Sequence, residues 1–141
     1  MQKNGNPSGH SLIQRIEYVK NAAQIIKRNF WTGVGTGDVK DEFMSQYENS
    51  ESQLDLKWRL RAHNQYVTFL LTFGIIGFSW IMFSFFFPVF YEKKHLDFLA
   101  IIFLLIAFLS MLNEDTLETH TGISFFAFFY SFFILGYKKK I

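Results

Sequence analysis

The sequence contains no cysteine among its 141 residues. It therefore has no disulfide framework, and it can supply neither a thiolate nucleophile nor a thiolate metal site. The net charge is only +2, which is too small to indicate a nucleic-acid partner. The first ten residues are polar, so they have neither the apolar run of a signal peptide nor the pattern of an amphipathic transit peptide.

Apolar residues are abundant but unevenly distributed. Half of the chain is hydrophobic and a fifth is aromatic, yet only two of the 19 Phe, Phe30 and Phe43, precede residue 65. We therefore predict an all-α membrane protein with two parts. Residues 1–65 are expected to form a water-exposed loop segment with amphipathic helices, and residues 66–141 are expected to form a membrane segment.

The loop segment has recognisable helical patterns. Five apolar residues recur at helical spacing and predict an amphipathic helix over Ser11–Arg28 with one packing stripe: Leu12, Ile16, Val19, Ala23 and Ile26. Three alternating glycines follow at Gly33, Gly35 and Gly37, which allow positive φ angles and exclude regular structure. Asp38 is expected to cap a short helix that reaches about Tyr47. Another helix is expected to begin near Leu56 and to continue into the bilayer.

Three membrane spans are predicted. A bilayer core of about 30 Å needs roughly 20 helical residues, and Val67–Tyr91 is long enough. The stretches Phe98–Leu112 and Gly122–Tyr137 are shorter, so they need boundary residues, a locally thinner bilayer or a larger protein around them.

Lysine clusters predict the topology of these spans. Lys93 and Lys94 lie between the first two spans, and Lys138–Lys140 follow the third. Cytoplasmic loops are enriched in Lys and Arg, so both clusters are expected in the cytoplasm. Residues 1–65 and the acidic loop Asn113–Thr121 are then external.

The boundary between the two parts carries the strongest candidate residues. Arg61 and His63 lie just before the first predicted span, where ionisable groups are expensive and often functional. The imidazole of His63 could act as a general base near neutral pH, or it could simply anchor a helix end. Arg61 could hold a phosphate through two parallel hydrogen bonds, or it could extend to lipid headgroups, which is the preferred interpretation for Arg59.

Three other features are weaker candidates. The segment Gly33–Asp38 could form an anion-binding nest, although glycine loops are more often plain turns and this one matches neither the dinucleotide fingerprint nor the P-loop. Arg15 could reach over the packing face of its helix, or be solvated. Glu114 and Asp115 could orient a base, or belong to a solvated loop, and no set of ligands predicts a metal site.

Together, these pieces resemble the C-terminal portion of the O-antigen ligase and O-antigen polymerase superfamily. The matching motifs span nearly the whole chain: Ser11-Leu12 with Arg15, Gly33–Asp38, Arg61–Tyr66, Thr68–Leu70, Phe73–Gly77 and Asn113–Thr119. The His63-Asn64 pair that leads into a helix with Gly74 and Gly77 is the most specific of them.

The resemblance implies a multi-pass protein of the bacterial inner membrane with its active side in the periplasm. Such glycosyltransferases move a glycan from undecaprenyl pyrophosphate to lipid A–core, to a growing glycan in lipopolysaccharide assembly, or to a protein side chain, without metal or nucleotide cofactors. The resemblance leaves ligase, polymerase and protein glycosyltransferase open.

Residue roles also follow from the resemblance. His63 would activate the acceptor hydroxyl, and Arg61 and Arg15 would bind the pyrophosphate. Gly33, Gly35, Gly37, Asp38 and Asn64 would contact substrate, and Glu114 or Asp115 would orient the site. Family members have about a dozen spans, so we expect this chain to be a fragment that needs a missing N-terminal transmembrane part for activity. The alternative is a small non-catalytic membrane protein or an inert remnant.

Overall fold

The structure, a computed structural model, describes residues 11–52, 54–93 and 97–136. Over these ranges the chain is helical and has no β-strand, which agrees with the predicted all-α class. The five α-helices are α1 (Ser11–Arg28), α2 (Val39–Asn49), α3 (Gln65–Tyr91), α4 (Phe98–Ser110) and α5 (His120–Tyr130). Lys94 and Lys138–Lys140, on which much of the topology prediction depends, lie outside the described residues.

The helices belong to two compact units. The first unit takes in the chain through His63 together with Val67–Gly77, and the second takes in Asn64–Tyr66 and the chain from Phe78 onward. Helix α3 therefore contributes residues to both units. The pocket described below is formed entirely by the first unit.

The first unit is built around a pairing of α1 with α2. Its apolar core contains Tyr18 and Ile25 from α1, Phe43 and Tyr47 from α2, and Leu71 from α3. Polar groups add to this interface: the Gln46 amide donates to the side-chain oxygen of Gln24 at 2.6 Å, and the Ser50 hydroxyl donates to Asn21 Oδ1 at 3.0 Å. Hydrogen bonds to the buried side chains of Asn21 and Gln46 thus add to the apolar core in pairing the two helices.

The bounds predicted for α1 are confirmed, but the predicted packing stripe is wrong at four of its five residues, since only Ile26 packs against the core. Leu12, Ile16 and Val19 are exposed, whereas Gln14, Tyr18, Asn21, Ala22 and Ile25 are buried. The helix therefore packs through a mixed face on its other side. Because Asn21 gains hydrogen bonds across the interface, burying it costs little, and simple apolar periodicity does not identify that face.

Helix α2 starts where the sequence predicted, whereas the helix predicted after it does not form. Asp38 occupies the position before α2, but its side chain makes no capping hydrogen bond to the helix. The helix expected from Leu56 onward is replaced by a single 3₁₀ turn at Leu56–Trp58, and α3 begins only at Gln65. The intervening residues 59–63 are extended or irregular, which leaves their side chains available to line a cavity.

Helix α3 is the one helix in the described part of the chain that is long and apolar enough to cross a membrane. It has 27 residues, and only 17% of its most apolar stretch is buried in the protein. The helix is interrupted at Gly74, whose φ of 61° and ψ of −172° are not helical. A core helix of a soluble protein would be largely buried, so the exposed surface of α3 is consistent with lipid contact.

The interruption of α3 is filled by the loop that follows α1. The Val34 and Gly35 amides donate to the carbonyls of Leu71 and Thr72, both at 2.9 Å. In the other direction, the Ile75 amide donates to the carbonyl of Phe30 at 2.8 Å. The loop therefore satisfies backbone groups that the break would otherwise leave unpaired, which is a strict requirement in lipid.

The second unit contains α4, α5 and most of α3. Helix α4 ends at Ser110 rather than at Leu112, and α5 begins at His120 and passes into a π-helical turn at Ser131–Gly136. Aromatic rings dominate its core, including Phe85 and Phe126, whose ring centroids are 5.2 Å apart. These two helices are too short to qualify as spans by length, so the second and third crossings stay predictions.

Candidate functional site

A cavity of about 530 Å³ opens in the first unit. Its walls come from the end of the glycine loop, from one face of α2 and from the irregular segment before α3. The lining residues are Thr36, Gly37, Val39, Lys40, Phe43, Met44, Arg59, Leu60, Arg61 and His63. The fold thus brings three of the predicted site residues, Gly37, Arg61 and His63, to a single cavity.

The ionisable lining of this cavity is entirely basic. Lys40, Arg59, Arg61 and His63 contribute to its walls, and no Asp or Glu is among its lining residues. A concave surface of one sign focuses the electrostatic potential and raises the local concentration of a ligand with opposite charge. The cavity is therefore suited to an anion, and two guanidinium groups favour a phosphate or diphosphate, which they can contact bidentately.

Sequence reasoning missed Lys40 and assigned Arg59 to lipid contact. Lys40, Phe43 and Met44 all line the cavity from α2, and their spacing of three and four residues is the signal that places them on one helix face. Arg59 also fastens its own segment: its Nε donates to the carbonyl of Leu54 at 3.1 Å and its Nη2 to that of Ser52 at 3.4 Å.

The backbone of His63 adopts a left-handed conformation with φ of 48°. Few residues other than glycine do so, and they are held there by their surroundings at a cost of about 1–3 kcal/mol. The His63 ring lies 6.3 Å from the ring of the buried Tyr18, centroid to centroid. The side chain is half-buried, so the imidazole is partly shielded from solvent while it still lines the cavity.

Tyr47 supports the wall that contains Leu60. Its hydroxyl donates to the Leu60 carbonyl at 2.6 Å, and its side chain is fully buried. Burial, more than the nearby Tyr18 and Glu17, raises the pKa of the Tyr47 phenol far above its usual range. Burial likewise raises the pKa of Tyr18. Both tyrosines therefore stay neutral near pH 7 and act as structural groups beneath the site.

The first part of the glycine loop has its own structural explanation. Gly33 and Gly35 have φ angles of 71° and 88°, in the positive range that glycine allows. The Gly33 amide donates to the carbonyl of Asn29, and that of Gly35 donates to Thr72, both at 2.9 Å. The Gly33 N–H group thus continues the turn at the end of α1, and the Gly35 N–H group holds the loop to α3. Substrate contact by Gly33 and Gly35 stays a prediction.

The remaining predicted site residues lie away from the cavity lining. Arg15 and Asp38 are exposed, and neither is among the residues that line the cavity. Asn64 Oδ1 accepts from the Tyr66 amide at 3.1 Å, which makes Asn64 the N-cap of α3. Its side-chain amide donates to the carbonyl of Leu112 at 2.8 Å. Its proposed contact with substrate stays a prediction, as do those of Arg15 and Asp38.

The acidic candidates belong to the second unit. Asp115 is buried and Glu114 is exposed, and both precede the 3₁₀ turn Thr116–Glu118. The turn is tied to the start of α3, because the Leu117 amide donates to Gln65 Oε1 at 2.7 Å. Over the described ranges, no group of three His, Asp or Glu residues is placed to hold a metal ion. A role for either carboxylate beside His63 stays a prediction.

Comparison with known proteins gives a family match to the part of the chain that contains the cavity. A family model described as O-antigen ligase matches residues 2–82, which is more than half of the 141 residues. All of the cavity-lining residues and the interruption of α3 fall inside the matched range. No curated protein and no solved structure matches the chain.

Proposed function

This chain belongs to the O-antigen ligase family, and from that premise we propose that it forms part of a membrane glycosyltransferase. The enzyme moves a glycan from undecaprenyl pyrophosphate to an acceptor such as lipid A–core or a growing glycan. The observation that carries the proposal is the basic cavity, in which His63 and Arg61 meet Lys40 and Arg59 without a carboxylate in the lining.

The basic groups of the cavity suit the leaving group of this reaction. Negative charge grows on the pyrophosphate as its bond to the sugar breaks, and fixed cations stabilise that charge without reorganisation. Arg61 and Arg59 can each offer two parallel N–H donors to phosphate oxygens, whereas Lys40 offers a compact charge. Arg15 would contact the pyrophosphate only from a position outside the cavity lining.

His63 is the candidate general base. In the proposed step, the acceptor hydroxyl oxygen forms a bond to the anomeric carbon of the donor glycan. The bond from that carbon to the pyrophosphate oxygen breaks, and undecaprenyl pyrophosphate leaves with the bonding electrons. His63 takes the hydroxyl proton. One of Glu114 and Asp115 would orient the site, and Gly37 would approach the substrate through its backbone.

The proposal also specifies which segments of the chain cross the membrane. Helix α3 crosses the inner membrane, with residues 1–65 and the Asn113–Thr121 loop on the periplasmic side, where lipid-linked glycans are presented. The apolar helices α4 and α5 form two further crossings with the support of neighbouring helices. Residues 1–65 form the periplasmic segment and residues 66–141 the membrane segment.

Glycan transfer by site variants tests the proposal. The assay uses membranes in which this chain is assembled with the other spans of a complete family member. In these membranes we expect His63→Ala to lower glycan transfer by about 10²–10⁴-fold, the usual cost of losing a positioned base. Arg61→Lys should also impair transfer, because an ammonium group cannot reproduce the two-pronged contact. The measurement is product formation from undecaprenyl pyrophosphate glycan, followed on lipopolysaccharide gels.

His120→Ala is the matched control, since His120 is exposed at the start of α5. Its transfer and membrane insertion should equal those of the unchanged chain. Wild-type transfer by His63→Ala would remove the catalytic assignment. Normal insertion with no transfer by any form of the chain would favour a non-catalytic membrane protein.

A further inference from the structure

Helix α1 carries an apolar surface that the first unit leaves uncovered. Leu12 is 75% exposed, Ile16 67% and Val19 48%. At about 100° of rotation per residue, these three side chains and Ala23 follow one line along the helix, which we call the outer stripe. The face of α1 that packs on α2 lies on the other side, so the outer stripe is a second apolar face and not the edge of the core.

Basic side chains border the outer stripe on both sides. On the helical projection, Lys20 and Lys27 run along one edge and Arg15 along the other. All three are exposed. The only carboxylate of α1, Glu17, falls about 140° from Leu12 on the same projection. An apolar line with cations on both of its edges is the pattern of a helix lying in the interface of an anionic bilayer.

The end of α1 is held beside the candidate membrane span. Arg28 ends the helix, and two residues later the Phe30 carbonyl accepts from the Ile75 amide of α3 at 2.8 Å. On α3, large apolar side chains become exposed only from Phe73 onward. The loop is therefore attached where the helix surface becomes suited to lipid. Trp31, which is 65% exposed, belongs to the residue type that concentrates at membrane interfaces.

We propose that α1 lies in the headgroup region of an anionic lipid bilayer, with the outer stripe entering the acyl boundary and Arg15, Lys20 and Lys27 contacting lipid phosphates. This placement requires that α3 crosses the membrane and does not depend on glycan transfer. It gives α1 a second role, because the helix packs against α2 on one face and holds the first unit against the membrane with the other.

Depth-dependent quenching tests the proposal, since the chain has no native cysteine. Ile16→Cys on the outer stripe and Glu48→Cys on the exposed surface of α2 are each labelled with an environment-sensitive fluorophore. The full chain is reconstituted into vesicles of phosphatidylglycerol and phosphatidylcholine. Lipids with a quencher about 5–10 Å below the headgroups should quench the label at position 16 and leave the label at position 48 bright. Iodide dissolved in the water should quench the label at position 48 and leave the label at position 16 bright.

A second set of measurements tests whether the placement of α1 requires its basic residues and anionic lipid. Neutralising Lys20 and Lys27 together to Gln should reduce lipid quenching at position 16, and so should pure phosphatidylcholine vesicles. Lys57→Gln, an exposed lysine away from α1, is the control and should change nothing. Equal quenching in charged and neutral vesicles would overturn the assignment to anionic lipid. Iodide quenching at position 16 as strong as at position 48 would overturn the membrane placement, and shielding from both quenchers would assign the outer stripe to a protein partner instead.

Discussion

Gly33 lies so close to Gly74 that a β-carbon on Gly33 would sit 2.5 Å from the backbone nitrogen of Gly74. A β-carbon on Gly74 would collide with the same loop, at the backbone carbonyl of Trp31. Both glycines have positive φ, at 71° and 61°. Two glycines 41 positions apart in the chain are thus required at one place, where the loop after α1 enters the break in α3.

Alanine at either glycine should destabilise the first unit. We expect Gly33→Ala and Gly74→Ala each to lower the free energy of unfolding by more than the roughly 1–2 kcal/mol that a left-handed backbone costs an L-residue, because each also forces the loop away from α3. Thermal unfolding of the detergent-solubilised chain, followed by circular dichroism, measures the effect. Gly37→Ala is the control, since a β-carbon there meets nothing within 4 Å, and its unfolding should match the unchanged chain. Equal stability of all three variants would contradict a tight loop–helix junction.

The buried phenol of Tyr47 predicts a loss of stability at high pH. Its pKa is raised in the folded chain by burial, whereas an unfolded tyrosine titrates near about 10. The unfolded state therefore loses its proton first, so the Tyr47 contribution is fully present below about pH 10. It declines as the pH rises from there toward the folded pKa. We expect the free energy of unfolding to decline above about pH 10, and Tyr47→Phe to reduce the decline. The exposed Tyr91 provides the control variant, Tyr91→Phe, whose profile should keep the full decline.

Lys40 should contribute to anion binding although the sequence did not single it out. Lys40→Gln removes one cation from the basic cavity, and a hydrogen bond to a charged group is worth about 1.5–3 kcal/mol, so pyrophosphate affinity should drop by about tenfold or more. Calorimetric titration of inorganic pyrophosphate into the chain in nanodiscs gives the affinity. Lys57→Gln removes the same charge outside the cavity and should bind as the unchanged chain does. Equal affinity in both variants would exclude Lys40 from the anion site.

Single cysteines test the topology. An impermeant thiol reagent applied to intact spheroplasts should label Ser50→Cys in the first unit, because residues 1–65 are expected outside the cytoplasm. The same reagent should leave Lys93→Cys, just after α3, unlabelled until the membrane is opened. Both positions are exposed in the protein, so a difference reports sidedness and not burial. Labelling at position 93 without labelling at position 50 would reverse the orientation.

The local sequence pattern was enough to predict the parts of the fold that depend on interactions between neighbouring residues. The bounds of α1 came from helical spacing, and the predicted span Val67–Tyr91 lies within α3, although the helix that carries it was expected to begin near Leu56. Arg61 and His63 were identified because ionisable groups next to a long apolar segment are rare. The family resemblance was correct for the same reason, since the His63-Asn64 pair and the glycine loop are short motifs that survive without their tertiary context.

Other features of the fold depend on contacts between residues that are distant in the sequence, and the local sequence pattern did not predict them. The face of α1 that packs is partly polar, and its Asn21 and Gln24 side chains accept hydrogen bonds from Ser50 and Gln46. Such a face can be buried at little cost because its polar groups are paired. Lys40 and Arg59 joined the cavity only when α2 and the segment before α3 came together. The break at Gly74 is invisible in an otherwise helical pattern, since the backbone groups around it are satisfied by a loop that lies 37 to 45 residues earlier in the chain.

The sequence by itself thus determined the all-α class, the bounds of α1, the presence of a membrane-length apolar helix at α3, and the family that the motifs indicate, because each depends on composition and spacing within a short window. The tertiary structure alone decided that Gly33 and Gly74 share one junction, that four basic groups line one cavity, and that most of the predicted packing stripe of α1 is exposed. These outcomes depend on close packing between distant backbones, where a single β-carbon or one buried hydrogen bond selects the arrangement.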